Sequence, residues 1–201
     1  MARTPKPLEP AREEQLLLVA ARHFAAAGYA GTSLNTVIAE ADWGKSSFYH
    51  YFSDKRRLHD HVVRTLAGRL TEQLQVPDLR TLSAVQFWPA MTELAERLDR
   101  ASKRRPETRL LGEMFHHPAD DDDGQLQEFR AQVEHWLRRA LAHGRKHGVI
   151  RNDLPEELLA QLTLAVLRTL DHWAVHNPRT RGRRVPPQRS IDLIRDLIAP
   201  R

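Results

Sequence analysis

The sequence predicts an all-α protein: a small three-helix head followed by a larger helical body, about nine helices in all. Three observations carry this reading. Apolar residues recur at helical spacing, no stretch keeps the two-residue alternation of a strand, and glycine, proline and asparagine mostly punctuate the helical stretches. With 41% hydrophobic and 28% charged residues in 201, the chain can bury a sizeable core.

The first segment runs from Pro10 to Ala27. Pro10 suits a first helical turn, Glu13 and Glu14 complement the dipole, and Gly28 is a natural stop. Its apolar face is Leu16, Leu17, Ala20 and Phe24. A short segment follows over Leu34–Ala41 with Ser33 as N-cap, and another over Lys45–Tyr51. A long helix starts after Ser53, an N-cap candidate, and carries Leu58, Val62, Leu66, Leu70 and Leu74 at four-residue spacing. The head is therefore assigned to residues 1–53 and the body to 54–201.

In the body, Leu82–Ser102 contains Pro89, which is expected to break or kink it into two pieces. Glu107–His117 ends at Pro118, and an acidic loop of Asp120–Asp123 precedes a helix over Gln125–His147, closed by Gly148. That helix shows Leu126, Phe129, Val133, Trp136, Leu137, Ala140 and Leu141 as one stripe. Pro155 opens a segment to about His176, and Ser190–Ala199 forms a last short helix.

Charge and composition narrow the function classes. The net charge is +5, which permits an anionic partner, yet residues 1–60 hold eight basic against seven acidic side chains. Any DNA-binding argument therefore rests on placement, not on bulk charge. The denser run of Arg179, Arg181, Arg183 and Arg184 reads as a solvated loop. The Arg3/Lys6 tail reads as disordered and Arg56 and Arg57 as solvated. Cysteine is absent, which excludes a disulfide scaffold, a thiolate metal site and a Cys nucleophile. The N-terminal residues lack a signal peptide's apolar run, and Leu158–Leu170 is too short and polar to span a bilayer, so a soluble, cytoplasmic protein is expected.

Helices shorter than about 12 residues are marginal in water, so Leu34–Ala41 and Lys45–Tyr51 need tertiary support from the first segment. Two such helices joined by a tight turn have the geometry of a helix-turn-helix, whose second helix enters the major groove. Lys45, Ser46, Ser47, Tyr49 and His50 fit its outer face, and Phe48 and Phe52 its inner one. Trp43 in the turn is expected to plug the space between the helices. The run from Gly28 to Phe52, and above all Tyr49-His50-Tyr51-Phe52 followed by Lys55, resembles the N-terminal signature of the TetR family of transcriptional regulators. The resemblance covers about a quarter of the chain. It implies a homodimer, a palindromic double-stranded DNA operator and a C-terminal domain that senses a small molecule. Asp42, Ile38 and Gly44 depart from the family pattern, in which Gly, Ala and Ser are usual.

Roles are expected as follows. Lys55 clamps a phosphate at a helix N-terminus, and the Tyr49 hydroxyl resembles the family's phosphate contact. Thr32 and Ser33 hold the other flank of the groove, Lys45 is the candidate for guanine, and Ser46, Ser47 and His50 contact bases or phosphates. In the body, Trp136, Ala140, Leu162, Val166 and Leu170 are expected at the dimer interface. Trp88, Met91, Met114, Phe115, Trp136, His172 and Trp173 are candidate ligand contacts for an effector of unknown class. No cofactor is expected, and no enzyme. A metal-assisted hydrolase built on His116, His117 and Asp120–Asp123 is disfavoured, because adjacent histidines on a helix point apart. A DNA-binding protein without small-molecule input, or controlled by a protein partner, is the other alternative.

Overall fold

The computed structural model describes residues 9–117, 124–176 and 185–200. Among these there are nine α-helices, one 3-10 turn and no strand. The all-α class follows the periodicity that predicted it. The Arg3/Lys6 tail, the acidic loop at Asp120–Asp123 and the arginine run at 179–184 lie outside the described residues.

The helices fall into two packing units: residues 1–70 with 102–130, and residues 71–101 with 131–201. The first holds α1 (Pro10–Gly31), α2 (Leu34–Glu40), α3 (Lys45–Tyr51), most of α4 (Lys55–Leu74) and α6 (Pro106–His116). The second holds most of α5 (Ala84–Arg104) and of α7 (Gly124–Lys146), with α8 (Glu156–His176) and α9 (Pro187–Ile198). Packing thus draws a different line from the one placed after residue 53. The reason is that Leu58, Val62, Val63 and Leu66 of α4, and Leu110, Leu111 and Met114 of α6, complete the same apolar core as the head.

That core gathers Leu16, Leu17, Ala20 and Phe24 of α1 around Val37, Ile38, Trp43 and Phe48. Ile38 is buried here, so the α1–α2 crossing accommodates its extra volume. Polar staples rim the core. Arg69 of α4 donates two hydrogen bonds to the Glu14 carboxylate of α1, at 2.9 and 2.7 Å. Arg130 donates to the carbonyls of Met114, Phe115 and His117 and so closes the C-terminal end of α6. The His117 imidazole donates to the Ala25 carbonyl at 2.6 Å, fixing that same end against α1.

The second unit packs Phe87, Leu141, Ile150, Leu159, Ala160, Ile194 and Ile198. Gly144 is required there: a Cβ would meet the Ile150 side chain at 2.6 Å. Pro89 does not divide α5, contrary to expectation. It lies near the helix start, and the carbonyl it leaves unpaired belongs to Val85, the most exposed large apolar residue of those described at 86%.

Helix bounds match the periodic segments to within a few residues, with one informative exception at the head of α4. Asp54, not Ser53, caps that helix: the Arg57 amide donates to Asp54 Oδ1 at 2.8 Å. Ser53 instead gives its hydroxyl proton to Asp54 Oδ2 at 2.7 Å. These bonds hold the Asp54 carboxyl below its ordinary range.

The Glu14–Arg69 pair yields a pH prediction. The Arg69 hydrogen bonds lower the Glu14 pKa from its ordinary 4.5, so the stabilisation is present above that value and is lost as pH falls through the folded-state pKa. The pair is partly solvated, so Glu14→Gln should lower the unfolding free energy at neutral pH by about 1 kcal/mol or less. In urea titrations the gap between variant and wild type should narrow as pH falls below 4.5 and through the lowered folded-state pKa.

Candidate nucleic-acid interface

The two seven-residue helices α2 and α3 are held almost wholly by what they bury. Val37 and Ile38 anchor α2, and Phe48, fully enclosed, anchors α3. Trp43 is 6% exposed and fills the turn between them, with its ring edge-on to Phe48 at 6.4 Å and Tyr51 at 5.9 Å. The Arg12 guanidinium lies 5.5 Å from the same ring. Asp42 takes φ 53, the left-handed value the turn demands, which an Asp adopts at modest cost. Gly44 caps α3 through its backbone alone, its carbonyl accepting from Phe48 N at 2.9 Å.

This anchoring determines what α3 exposes. Lys45, Ser46, Ser47, Tyr49 and His50 all face solvent, with Tyr49 half-exposed at 51%. The structure therefore leaves five of the proposed DNA-facing residues exposed on one short helix, around the side away from Phe48. Ser33 lies at the start of α2, where its Oγ accepts from Thr36 N at 3.4 Å. Of the eight, Thr32 and Lys55 have other occupations.

Thr32 is buried, and its hydroxyl donates to the Gly28 carbonyl at 2.7 Å, with the His23 carbonyl at 3.1 Å. That hydroxyl closes the C-terminal end of α1 and does not face a groove. Lys55 Nζ donates to the carbonyls of Tyr29 at 2.8 Å, Thr32 at 3.1 Å and Ala30 at 3.3 Å. It also lies 4.5 Å from the Tyr29 ring. The helix N-terminus expected to help it hold a phosphate already carries the Asp54 carboxylate. Sequence reasoning missed this joint because its partners lie 23 to 26 residues upstream.

The body candidates divide between the two units. Met114 is core in the first unit, where Phe115 packs edge-on to Phe129 at 5.9 Å. In the second, Trp88 and Met91 pack partly buried on the core, and Trp136 and Trp173 are partly exposed. Trp88 also lines a groove of about 400 Å³ with Pro89, Thr92, Glu93, Glu96, Gln188 and Arg195. The His172 side chain lies outside the described residues. Of the interface candidates, Ala140 is buried inside its own chain and unavailable to a partner, because the inner side of the α7 stripe packs on its own core. Trp136, Leu162, Val166 and Leu170 are partly buried, and Val166 packs against the second unit's own core.

The head's geometry agrees with comparisons to known proteins. Residues 16–62 match the family described as bacterial regulatory proteins, tetR family. Residues 16–62 thus form a tetR-family N-terminal domain. The chain is 26% identical over 176 residues to the HTH-type transcriptional repressor DhaR of Mycobacterium sp. (strain GP1), covering 82% of this chain and 80% of that one. Among solved structures, a tetR family transcription regulator from Shewanella sp. PV-4 superposes with a TM-score of 0.68 at 18% identity, covering 94% of this chain and 99% of that one. AibR, solved with isovaleryl coenzyme A and operator DNA, gives 0.68 at 16% identity, covering 94% and 98%. At these identities the solved structures establish the tetR fold over nearly the whole chain. Among the described residues no helix is long and apolar enough to cross a membrane.

Trp43 offers a direct check of the head's construction. Its indole N–H is buried without a protein acceptor among the described residues, so the ring's volume is what the turn uses. Trp43→Phe should change stability by about 1 kcal/mol or less, because the loss of ring area is offset by removal of a buried donor. Trp43→Ala should cost about 3–5 kcal/mol in chemical denaturation.

Proposed function

We propose that the protein is a ligand-responsive transcriptional repressor that binds a palindromic operator as a homodimer. The observation that carries the DNA-binding reading is the polar face of α3: Lys45, Ser46, Ser47, Tyr49 and His50 exposed on a helix whose opposite side is pinned by Phe48. A helix held in this way presents a fixed set of donors and one cation to base edges and phosphates, which suits a head of nearly neutral charge. Lys45 is assigned to guanine, Tyr49 to a phosphate, and Ser33, Ser46, Ser47 and His50 to either.

A single half-site of this size gives little discrimination, and dimerisation supplies the rest. Partly exposed Leu162 and Leu170 on α8, with Trp136 on α7 and the outer edge of Val166, are apolar surface that a second copy would cover. The dimer would set two recognition helices about 34–36 Å apart, one turn of DNA. Repression then follows from occupancy of the operator. In functional terms the DNA-binding part is residues 1–53 and the effector-binding and dimerising part 54–201. The AibR complex, with an acyl coenzyme A and operator DNA on a similar fold, supports a small-molecule input. An effector acts here only through a difference in affinity between DNA-competent and DNA-incompetent states. The protein is not assigned a catalytic reaction.

The test is protection of a palindrome in the DNA upstream of the gene by the purified protein, with sedimentation run in parallel. A protected palindrome and a dimer at micromolar concentration are expected; a monomer that protects no site overturns the reading. Lys45→Ala should relax preference at one base pair of each half-site by about 1–3 kcal/mol. Tyr49→Phe should weaken binding to all sequences alike, measured by anisotropy on matched and mismatched duplexes.

A further inference from the structure

We propose that His143 and His147, at the end of α7, form a two-imidazole binding site for a divalent transition-metal ion, copper(II) above the others. The residues involved all lie in the second packing unit, and nothing in the site depends on the DNA-binding reading.

The two histidines are four residues apart on one helix, so their side chains share a face. Their ring centroids stand 4.4 Å apart, with the ring planes tilted by 39°. The His147 amide donates to the His143 carbonyl at 3.1 Å, so the helical register that sets this spacing persists to the end of the pair.

His143 is partly buried and held in place. Its Nε2 lies 2.8 Å from the Leu82 carbonyl, and its ring stacks at 18° on that of Phe87, 6.4 Å between centroids. A carbonyl only accepts, so Nε2 carries the proton and Nδ1 the lone pair. Metal-binding histidines are held in this way: the second ring nitrogen donates to a carbonyl, which fixes tautomer and orientation and makes the ligating nitrogen more basic. His147 is exposed and can turn its own lone pair towards the same point. The helix end adds partial negative charge from its last carbonyls, which favours a cation. Two neighbouring cations are directed elsewhere. Arg145 donates to the Leu154 carbonyl, and Arg139, one turn earlier, lies in the field of Asp78.

The spacing selects the ion. An imidazole nitrogen binds a metal at about 2.0–2.1 Å in the ring plane, which puts the ion about 3.2 Å from the ring centre. Centroids 4.4 Å apart then subtend about 90° at a shared ion, a cis arrangement. A tetrahedral angle would need the centroids about 5.2 Å apart. Among the described residues no group of three imidazoles or carboxylates is placed to hold a metal, so the chain supplies two nitrogens and water the remaining positions. Cis nitrogens completed by water suit tetragonal copper(II) or nickel(II), and copper(II) binds more tightly than nickel(II) or zinc(II) to such donors.

The test is calorimetric titration of the full chain, free of any histidine tag, with copper(II) chloride. Paramagnetic resonance at one equivalent counts the nitrogen ligands. Wild type should show two. His147→Ala and His143→Gln should each leave one and weaken the first equivalent by about tenfold or more; the glutamine keeps an N–H for the Leu82 carbonyl. His135→Ala removes another exposed α7 histidine, about 12 Å from His143 along the axis, and should bind as wild type does. Zinc(II) should bind wild type about tenfold or more weakly than copper(II).

Equal copper(II) affinity in wild type, His147→Ala and His143→Gln overturns the site. An equal loss in His135→Ala overturns it too, because scattered imidazoles then account for the binding. Zinc(II) bound as tightly as copper(II) overturns the cis geometry. If His143→Gln fails to fold, the exposed His147→Ala variant and the wild-type nitrogen count decide. Failure of wild type to bind any duplex would sink the DNA-binding reading and leave this result standing.

Discussion

A seven-residue helix has almost no stability of its own in water, and the surface proposed to read DNA consists of two of them. Nucleating a helix fixes several residues for its first hydrogen bond, and seven residues return too few bonds to offset that cost. Everything else in the first packing unit answers this constraint. Phe48 gives α3 a buried anchor, Val37 and Ile38 give α2 one, and Trp43 fills the wedge between them. The polar face of α3 is rigid because its apolar face is trapped. A flexible loop carrying Lys45, Tyr49 and His50 would have to lose conformational entropy on each encounter with a groove; this helix has lost it on folding.

The same constraint explains why the unit extends beyond residue 53. One long helix and two short ones cannot enclose Phe24, Phe48 and Trp43 alone, and α4 and α6 supply Leu58, Val62, Leu66, Leu111 and Met114 to close the core. The polar contacts follow the same plan. Glu14 to Arg69, Lys55 to the end of α1, and His117 to Ala25 each tie α1 to a later helix. α1 is the common partner in all three, which makes it the frame on which α2 and α3 are mounted.

The legibility of these features in the sequence tracks how local their causes are. The bounds of α3 and the Ser33 cap could be read directly, because periodicity and capping depend on residues three or four apart. The left-handed turn at Asp42 was legible for the same reason. Ser53 and Asp54 are adjacent and both are good caps, so only geometry separates them. Lys55 looked like a DNA contact because its position near a helix start is visible, whereas its carbonyl partners become neighbours only once α1 has folded back over α4. Ala140, expected at an interface, is buried in its own chain for a similar reason: a periodic stripe identifies an apolar face but not whether a chain's own core or a second molecule covers it.

The placement of α6 bears on how a body could inform a head. α6 belongs to the unit that contains the recognition helix, and it is held there at both ends. Near its start, buried Glu107 lies in the field of Arg69, the residue that grips Glu14 of α1. At its end, His117 donates to α1 directly, with its ring against Gly28, where α1 breaks. Arg130 ties that same end to the start of α7. Met114 and Phe115 sit between these fixings. A molecule that displaced either side chain could not be accommodated by α6 alone: its C-terminal turn would carry His117 away from Ala25 and Gly28, and α1 would have to follow or lose that bond. Since α1 is the frame for α2 and α3, a shift of about an ångström there is passed on through close-packed side chains that do not compress. Under the proposed ligand-responsive reading, this route would carry information to α3 without any of its residues touching the effector.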